Sequence, residues 1–144
     1  MTIGKICQRE VDLADGDEPI VEAAKRMSQK MVGTLVVLDE KRQPIGIVTD
    51  RDVAMRVVAE GRSLDTTVVR EVMSAHPRTI SVAAPVETAL ATMRQLGVRR
   101  LPVVQADGTL AGIVSLDDVI SLLIEELRSI HGVLQKAAPS GTLV

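Results

Sequence analysis

The sequence predicts an α/β fold, of the α+β type, built from two copies of one β-α-β-β-α unit packed with pseudo-twofold symmetry. The prediction rests first on an internal repeat. The segment GIVTDRDV at 46–53 returns as GIVSLDDV at 112–119, which lies 66 positions further along the chain. The same offset aligns Pro19 with Pro85 and most of the apolar positions that follow, without a gap. Self-similarity at one fixed offset indicates a duplicated structural unit.

Each copy also shows the same order of hydrophobic patterns. After Pro19 and Pro85, apolar residues recur at helical spacing, and proline suits the first turn of a helix. Two β-branched runs separated by turn residues follow, and a second helix begins at Thr49 or Ser115. The predicted strands lie at 34–38, 44–48, 79–82, 101–104 and 110–114, with a weaker strand near 11–14.

The polar, aperiodic stretch at 60–67 is interpreted as the linker between the copies. It divides the chain into a first repeat, a second repeat and a C-terminal extension, at 1–66, 67–128 and 129–144. An apolar stripe after Asp118 predicts that the last helix runs past the repeat to about residue 135, with a frayed tail beyond it. Because a unit of roughly 60 residues has little core of its own, we expect the two repeats to form one cooperative body.

Composition argues against several classes of function. The net charge is −2 and the basic residues are scattered, unlike the basic face of a nucleic-acid-binding protein. No apolar run reaches the roughly 18 residues of a membrane span, and the first residues lack a signal-peptide core, so secretion by that route is not expected. The single cysteine, Cys7, cannot form an internal disulfide, so a cytoplasmic location is expected, and the residue is expected to be small, buried and apolar. Phe, Tyr and Trp are absent, so aliphatic side chains would have to hold any planar ligand.

One motif recurs in both copies, at 46–52 and at 112–118: glycine, two apolar residues, Thr or Ser, two variable residues and Asp. The simplest interpretation is a capping box, in which Thr49 or Ser115 starts a helix and the Asp completes the cap. The alternative is a ligand site. Helix N-terminal amides and a hydroxyl suit a phosphate, a carboxylate suits two vicinal ribose hydroxyls, and the glycine would permit close approach to a backbone.

With VGTLVVLD before the first motif and GVRRLPVVQADG before the second, the sequence resembles the CBS domain family over roughly residues 3–128. It is most similar to bacterial stand-alone proteins that contain one CBS pair. The resemblance implies a tandem pair, called a Bateman module, with two clefts between its repeats. In that family the clefts often bind AMP, ADP, ATP or S-adenosyl compounds.

The resemblance also assigns roles to individual residues. It places the ribose-binding aspartate at Asp52 and Asp118, and the phosphate-facing hydroxyl at Thr49 and Ser115. The apolar residues that it places against the adenine are Ile80 and Val82. On this basis we predict that Asp118→Ala strongly weakens nucleotide binding.

The two copies differ in their basic residues. The resemblance places a basic pair at Arg99 and Arg100, but these residues align with Gly33 and Thr34 in the first copy. Arginine binds phosphate through paired hydrogen bonds. We therefore predict two unequal sites, with the phosphate held mainly by this pair. Arg51 is a secondary candidate for phosphate binding.

The sequence contains no nucleophile elbow, P-loop or paired metal-ligand spacing, so we expect no enzyme, no catalytic residue, no metal site and no required cofactor. The predicted function is a sensor that binds an adenine nucleotide or adenosyl ligand, with Mg²⁺ where a polyphosphate carries it. The alternative is a structural dimerisation or adaptor module with no ligand. The resemblance further implies a homodimer, for which the helix at 116–134 would supply surface, and an effector protein as partner.

Overall fold

The first repeat folds in the predicted order of strands and helices. The computed structural model describes residues 1–137 of the protein. A short helix that the sequence analysis did not predict precedes the repeat. The elements of this half are α1 (Ile3–Ile6), β1 (Leu13–Ala14), α2 (Ile20–Lys30), β2 (Thr34–Leu38), β3 (Pro44–Thr49) and α3 (Asp50–Val53), which continues as a π-helical turn over Ala54–Val58.

The second repeat follows the same order and ends in a much longer helix. Its elements are α4 (Val69–Val72), β4 (Ser74–Ala75), β5 (Ile80–Ser81), α5 (Val86–Leu96), β6 (Arg100–Val104), β7 (Leu110–Ser115) and α6 (Leu116–Ala137). Helix α6 continues past residue 128, where the sequence analysis ended the second repeat. Most of the predicted tail lies outside the described residues. No helix within residues 1–137 is long and apolar enough to cross a membrane.

Helices α2 and α5 each pack one apolar face against the sheet of their own repeat. Ile20, Ala23 and Met27 are buried on α2, and the corresponding residues of α5 are buried too. Spacings of three and four residues place these side chains on one side of a helix. The helical periodicity after each proline therefore identified the core-facing side correctly.

The leading segment of each repeat, residues 3–8 in the first and 69–75 in the second, packs with the sheet of the other repeat. Within each sheet the first two strands are parallel and the next pair is antiparallel. Ser74 of β4 pairs with Ile47 at the open edge of β3, in the sheet of the first repeat. Gln8, which the 66-residue offset relates to Ser74, forms an isolated bridge with Ile113 in the sheet of the second repeat. Each leading segment thus extends the sheet of the other repeat.

The same exchange completes two hydrophobic cores. Ile3 and Cys7 pack among buried residues of the second repeat, and Val69 and Val72 pack among those of the first. Cys7 is a free, buried thiol, as predicted. Neither core is complete without the segment that the chain contributes from the other side of the linker.

The motif glycines make room for the exchanged segments. A Cβ added to Gly112 would clash with the backbone oxygen of Gln8, and one added to Gly46 would clash with the side chain of Met73. Both glycines are buried in their sheets. The ligand-site interpretation of the motif gave this glycine the role of permitting close approach to the backbone, and the group that approaches it is the protein's own leading segment.

Candidate ligand-binding cleft

Both motifs form capping boxes. Thr49 N donates to Asp52 Oδ2 at 2.9 Å, and Asp52 N donates to Thr49 Oγ1 at 3.1 Å. In the second motif, Ser115 N donates to Asp118 Oδ2 at 2.8 Å, and Asp118 N donates to Ser115 Oγ at 3.2 Å. These bonds hold each aspartate at the start of a helix through one oxygen, Oδ2.

The other carboxylate oxygen has different surroundings in the two motifs. Asp118 Oδ1 accepts a hydrogen bond from Gln8 Nε2 at 3.0 Å. Asp52 Oδ1 forms an ion pair with Arg56, whose Nε lies 3.6 Å away, a distance too long for a hydrogen bond. Both oxygens of Asp118 are therefore used within the chain, whereas Asp52 Oδ1 retains hydrogen-bonding capacity for a ligand.

A cavity of about 590 Å³ lies between the repeats, beside the first motif. It brings Thr49, Arg51 and Asp52 together with Arg99 and Arg100 from the second repeat. Its volume falls within the range of small-molecule sites, roughly 300–1,000 Å³. Five of the residues that the sequence analysis selected therefore line one cleft, although they come from both repeats.

The other four selected residues lie elsewhere. Ser115 and Asp118 stand at the start of α6, where Asp118 borders a separate cavity of about 580 Å³. Ile80 is 6% exposed within the core of the second repeat, and Val82 packs against that core while its carbonyl accepts a hydrogen bond from Gly4 N. Neither Ile80 nor Val82 therefore lines the arginine-rich cleft.

Different aliphatic residues form the apolar wall of the cleft, namely Ile47, Pro77, Leu96, Val98 and Leu101. Of these, Ile47 belongs to the motif itself. Gly46 and Val48 are buried on β3, while Ile47 and Thr49 are partly exposed. Side chains alternate between the two faces of a strand. The position of Ile47, two residues before Thr49, was therefore the sequence signal that it shares a face with the motif hydroxyl.

Four arginines line the cleft: Arg51, Arg78, Arg99 and Arg100. Two aspartates, at 50 and 52, also line it, so the charged residues of the cleft have an excess of two positive charges. Arg99 forms an exposed ion pair with Asp117 at 3.5 Å. The other three form no ion pair with any carboxylate of residues 1–137. The sequence analysis missed Arg78.

The 66-residue offset would have identified Arg78 by its charge. Every arginine of the cleft has a counterpart in the other copy that is not basic, and two of the four are acidic: Asp12, Gly33, Thr34 and Asp117. Lys30 neutralises Asp12 through an ion pair at 3.0 Å. The charge difference between the copies is therefore larger than the arginine pair alone indicates.

The CBS domain family matches the chain twice, over residues 3–59 and 69–125. The chain belongs to the CBS domain family. Each CBS match begins in a leading segment that packs in the other repeat, and the second match ends within α6. The two units detected from the 66-residue offset are therefore two CBS domains.

Relatives and solved structures are similar to this chain over most of its length. An uncharacterized protein of Methanopyrus kandleri is 34% identical over 122 residues, which cover 85% of this chain and 62% of that protein. A Burkholderia ambifaria protein with CBS domains superposes with a TM-score of 0.78 at 30% identity, covering 87% of this chain and 95% of that one. A CBS domain protein from Pyrobaculum aerophilum, complexed with AMP, superposes with a TM-score of 0.77 at 25% identity, covering 87% and 97%.

Proposed function

We propose that this CBS pair is a non-catalytic regulatory module that binds one adenine nucleotide in the cleft between its repeats. The observation that carries the proposal is the convergence of Thr49 and Asp52 from the first motif with the arginine pair of the second repeat. The AMP complex of the Pyrobaculum aerophilum protein, which has a similar fold, supports an adenine ligand.

In this proposal Asp52 binds the ribose. Its Oδ1 can accept hydrogen bonds from two vicinal hydroxyls, while Oδ2 stays in the cap. The side chain is 16% exposed, and a hydrogen bond to a charged group is stronger where little water competes. Ile47 and Val98 replace Ile80 and Val82 as the residues that contact the adenine.

The phosphates would be bound by Thr49 and the four arginines. The Thr49 hydroxyl accepts from the cap and still has its proton to donate to a phosphate oxygen. An excess of two positive charges favours ADP or ATP over AMP, and it disfavours the cationic sulfonium of S-adenosylmethionine. Mg²⁺ would arrive bound to the phosphates. Among residues 1–137 there is no cluster of three or more His, Cys, Asp and Glu side chains that could hold a metal ion by itself.

This assignment gives Asp52 the role that the sequence analysis expected most strongly for Asp118. Asp118 already accepts hydrogen bonds at both oxygens and does not line the arginine-rich cleft. We therefore propose one nucleotide for each chain rather than two of comparable affinity.

A nucleotide in this cleft would contact both repeats, so it could favour one relative arrangement of them over another. It can shift such an equilibrium only by its difference in affinity for the two arrangements. We propose that an effector protein reads the favoured arrangement, and that the module acts as a homodimer.

The pseudo-symmetric aspartates provide a matched test. Asp52→Asn keeps an oxygen for the cap but removes the charge that the ribose hydroxyls would contact. Hydrogen bonds to a charged group contribute about 1.5–3 kcal/mol, so the dissociation constant for ATP should rise about 10- to 100-fold by calorimetry. Asp118→Asn should leave it within about twofold. Equal losses in the two variants would refute the assignment of the cleft.

The competing function, a structural adaptor without a ligand, is favoured by the caps, since the motifs have a complete structural role. Thermal unfolding separates the two functions, because a ligand that binds the native state raises the melting temperature with its concentration. No shift with AMP, ADP, ATP or S-adenosylmethionine at millimolar concentration would refute nucleotide sensing.

Where ATP does bind, Arg78→Ala should weaken the binding of ATP more than the binding of adenosine. Arg94→Ala, at an exposed position, should change neither affinity.

A further inference from the structure

Arg56 joins the first motif to the leading segment of the second repeat. It lies four residues after Asp52, in the π-helical turn that continues α3. Its Nη1 donates to Val72 O at 2.7 Å, and its Nη2 donates to Ser74 Oγ at 3.3 Å. Because the guanidinium is planar and rigid, these two bonds also fix the direction of Nε, which lies 3.6 Å from Asp52 Oδ1. The leading segment thus sets the position of a cation beside the aspartate.

The second repeat makes the corresponding connection by different chemistry. The 66-residue offset relates Arg56 to Leu122 and Ser74 to Gln8. Gln8 reaches Asp118 directly, through the hydrogen bond of 3.0 Å to Oδ1. Helix α6 also begins as regular α-helix, whereas α3 passes into the π-helical turn after four residues. Such turns are rare and frequently occur at functional sites. The arginine link therefore belongs to the repeat whose aspartate keeps an oxygen for a ligand.

The ion pair with Arg56 leaves Asp52 able to bind a ligand. The Asp52 side chain is 16% exposed, and a carboxylate at a partly buried position is costly unless an opposite charge balances it. Arg56 supplies that charge without itself lining the cleft. Since 3.6 Å is too long for a hydrogen bond, the lone pairs of Oδ1 stay available to hydroxyl donors. Arg56 can therefore orient Asp52 without competing for the oxygen that a ribose would contact.

We propose that Arg56 is a positioning residue for the ribose site, and that it couples nucleotide binding to the docking of residues 69–75 on the first repeat. This inference rests on the proposed function, since it concerns the same aspartate. Coupling between two binding events is reciprocal. A docked leading segment raises the affinity of the cleft for the nucleotide, and a bound nucleotide stabilises the docked segment to the same degree. Nucleotide binding thereby reaches β4, the exposed edge strand of the first sheet.

A double-mutant cycle tests whether Arg56 acts through Asp52. Arg56→Met keeps the aliphatic part of the side chain and removes the charge, and it should raise the dissociation constant for ATP about tenfold by calorimetry. In the Asp52→Asn background the same change should alter that constant by less than about twofold, because the carboxylate that Arg56 orients is gone. Arg56→Lys keeps the charge and should recover part of the loss. If Arg56→Met does not fold, Arg56→Lys completes the same cycle.

Arg62→Met is the matched control for this cycle. Arg62 pairs with Glu71 of the same leading segment at 3.5 Å, and neither residue lines the cleft. This variant should leave the dissociation constant within about twofold, with circular dichroism confirming that each variant is folded. Equal losses from Arg56→Met in both backgrounds, or an equal loss in Arg62→Met, would overturn the positioning role while ATP binding itself remains. An unaltered affinity in Asp52→Asn would instead contradict the proposed function.

Hydrogen exchange tests the coupling, because amide exchange reports local opening. The Arg70 amide donates to Gly16 O at 2.9 Å, across the contact between the leading segment and the first repeat. Saturating ATP should slow its exchange more than that of the Gln8 amide, which donates to Ile113 O in the other exchanged segment. This difference should disappear in Arg56→Met at saturating ATP. Equal slowing of the two amides in the unaltered chain, or the same difference in Arg56→Met, would overturn the coupling.

Discussion

Replacing Gly112 with alanine tests the exchange of leading segments between the repeats. The added Cβ would clash with the backbone oxygen of Gln8 and lie 3.0 Å from the sulfur of Cys7. Backbone cannot rotate away as a side chain can, so the leading segment must move as a unit. In the equivalent change, Gly46→Ala, the atoms nearest to the added Cβ all belong to the side chain of Met73, which can adopt another rotamer.

The expected losses follow from these contacts. Moving the leading segment breaks two hydrogen bonds of the bridge, from Gln8 N to Ile113 O at 2.8 Å and from Ile113 N to Gln8 O at 2.9 Å. Each contributes about 1 kcal/mol, and overpacking adds about 1–3 kcal/mol. We expect Gly112→Ala to lower the free energy of unfolding by about 3–5 kcal/mol, and Gly46→Ala to lower it by about 1 kcal/mol.

Urea unfolding followed by far-ultraviolet circular dichroism measures this difference, since the chain has no aromatic residue to serve as a fluorescent probe. Gly132→Ala is the control, because a Cβ there meets no atom within 4 Å. It should leave the protein unchanged or stabilise it by up to about 1 kcal/mol through helix propensity. Equal losses for Gly112→Ala and Gly46→Ala would refute the argument that backbone contact makes the second repeat more sensitive.

Three further outcomes are expected. Met31 has a φ of 54° where its counterpart Gly97 has 66°, so Met31→Gly should raise the free energy of unfolding by about 0.5–1 kcal/mol as it relieves a left-handed conformation. Glu18→Gln should lower it by about 1–2 kcal/mol, because Arg26 donates to both carboxylate oxygens, at 2.7 and 2.8 Å; urea unfolding measures both changes. Calorimetry at two salt concentrations should show that ATP affinity falls more steeply with salt than adenosine affinity, since arginines bind the phosphates. Equal salt dependence for the two ligands would contradict that role.

Features determined by neighbouring residues could be predicted from the sequence. The helices after Pro19 and Pro85, the strand pairs and the caps at Thr49 and Ser115 depend on propensity, periodicity and contacts within a few positions. The duplication then predicts the fold class, because two copies of a unit with the same order of strands and helices can bury their sheets in only a few ways. The alignment of the two copies also predicts a charge difference at Arg78, which corresponds to Asp12 in the first copy.

Only the tertiary structure decided which residues meet. The exchange of leading segments joins Gln8 to Ile113, over a hundred positions apart, and no local pattern encodes that contact. The exchange buries Ile80 beside Ile3 and leaves Ile47 facing the cleft. It also occupies Asp118 while Asp52 retains a carboxylate oxygen for a ligand. Two nearly identical motifs thus have different surroundings. The residues of each motif determine only its helix cap, whereas the packing around the motif depends on residues that are distant in sequence.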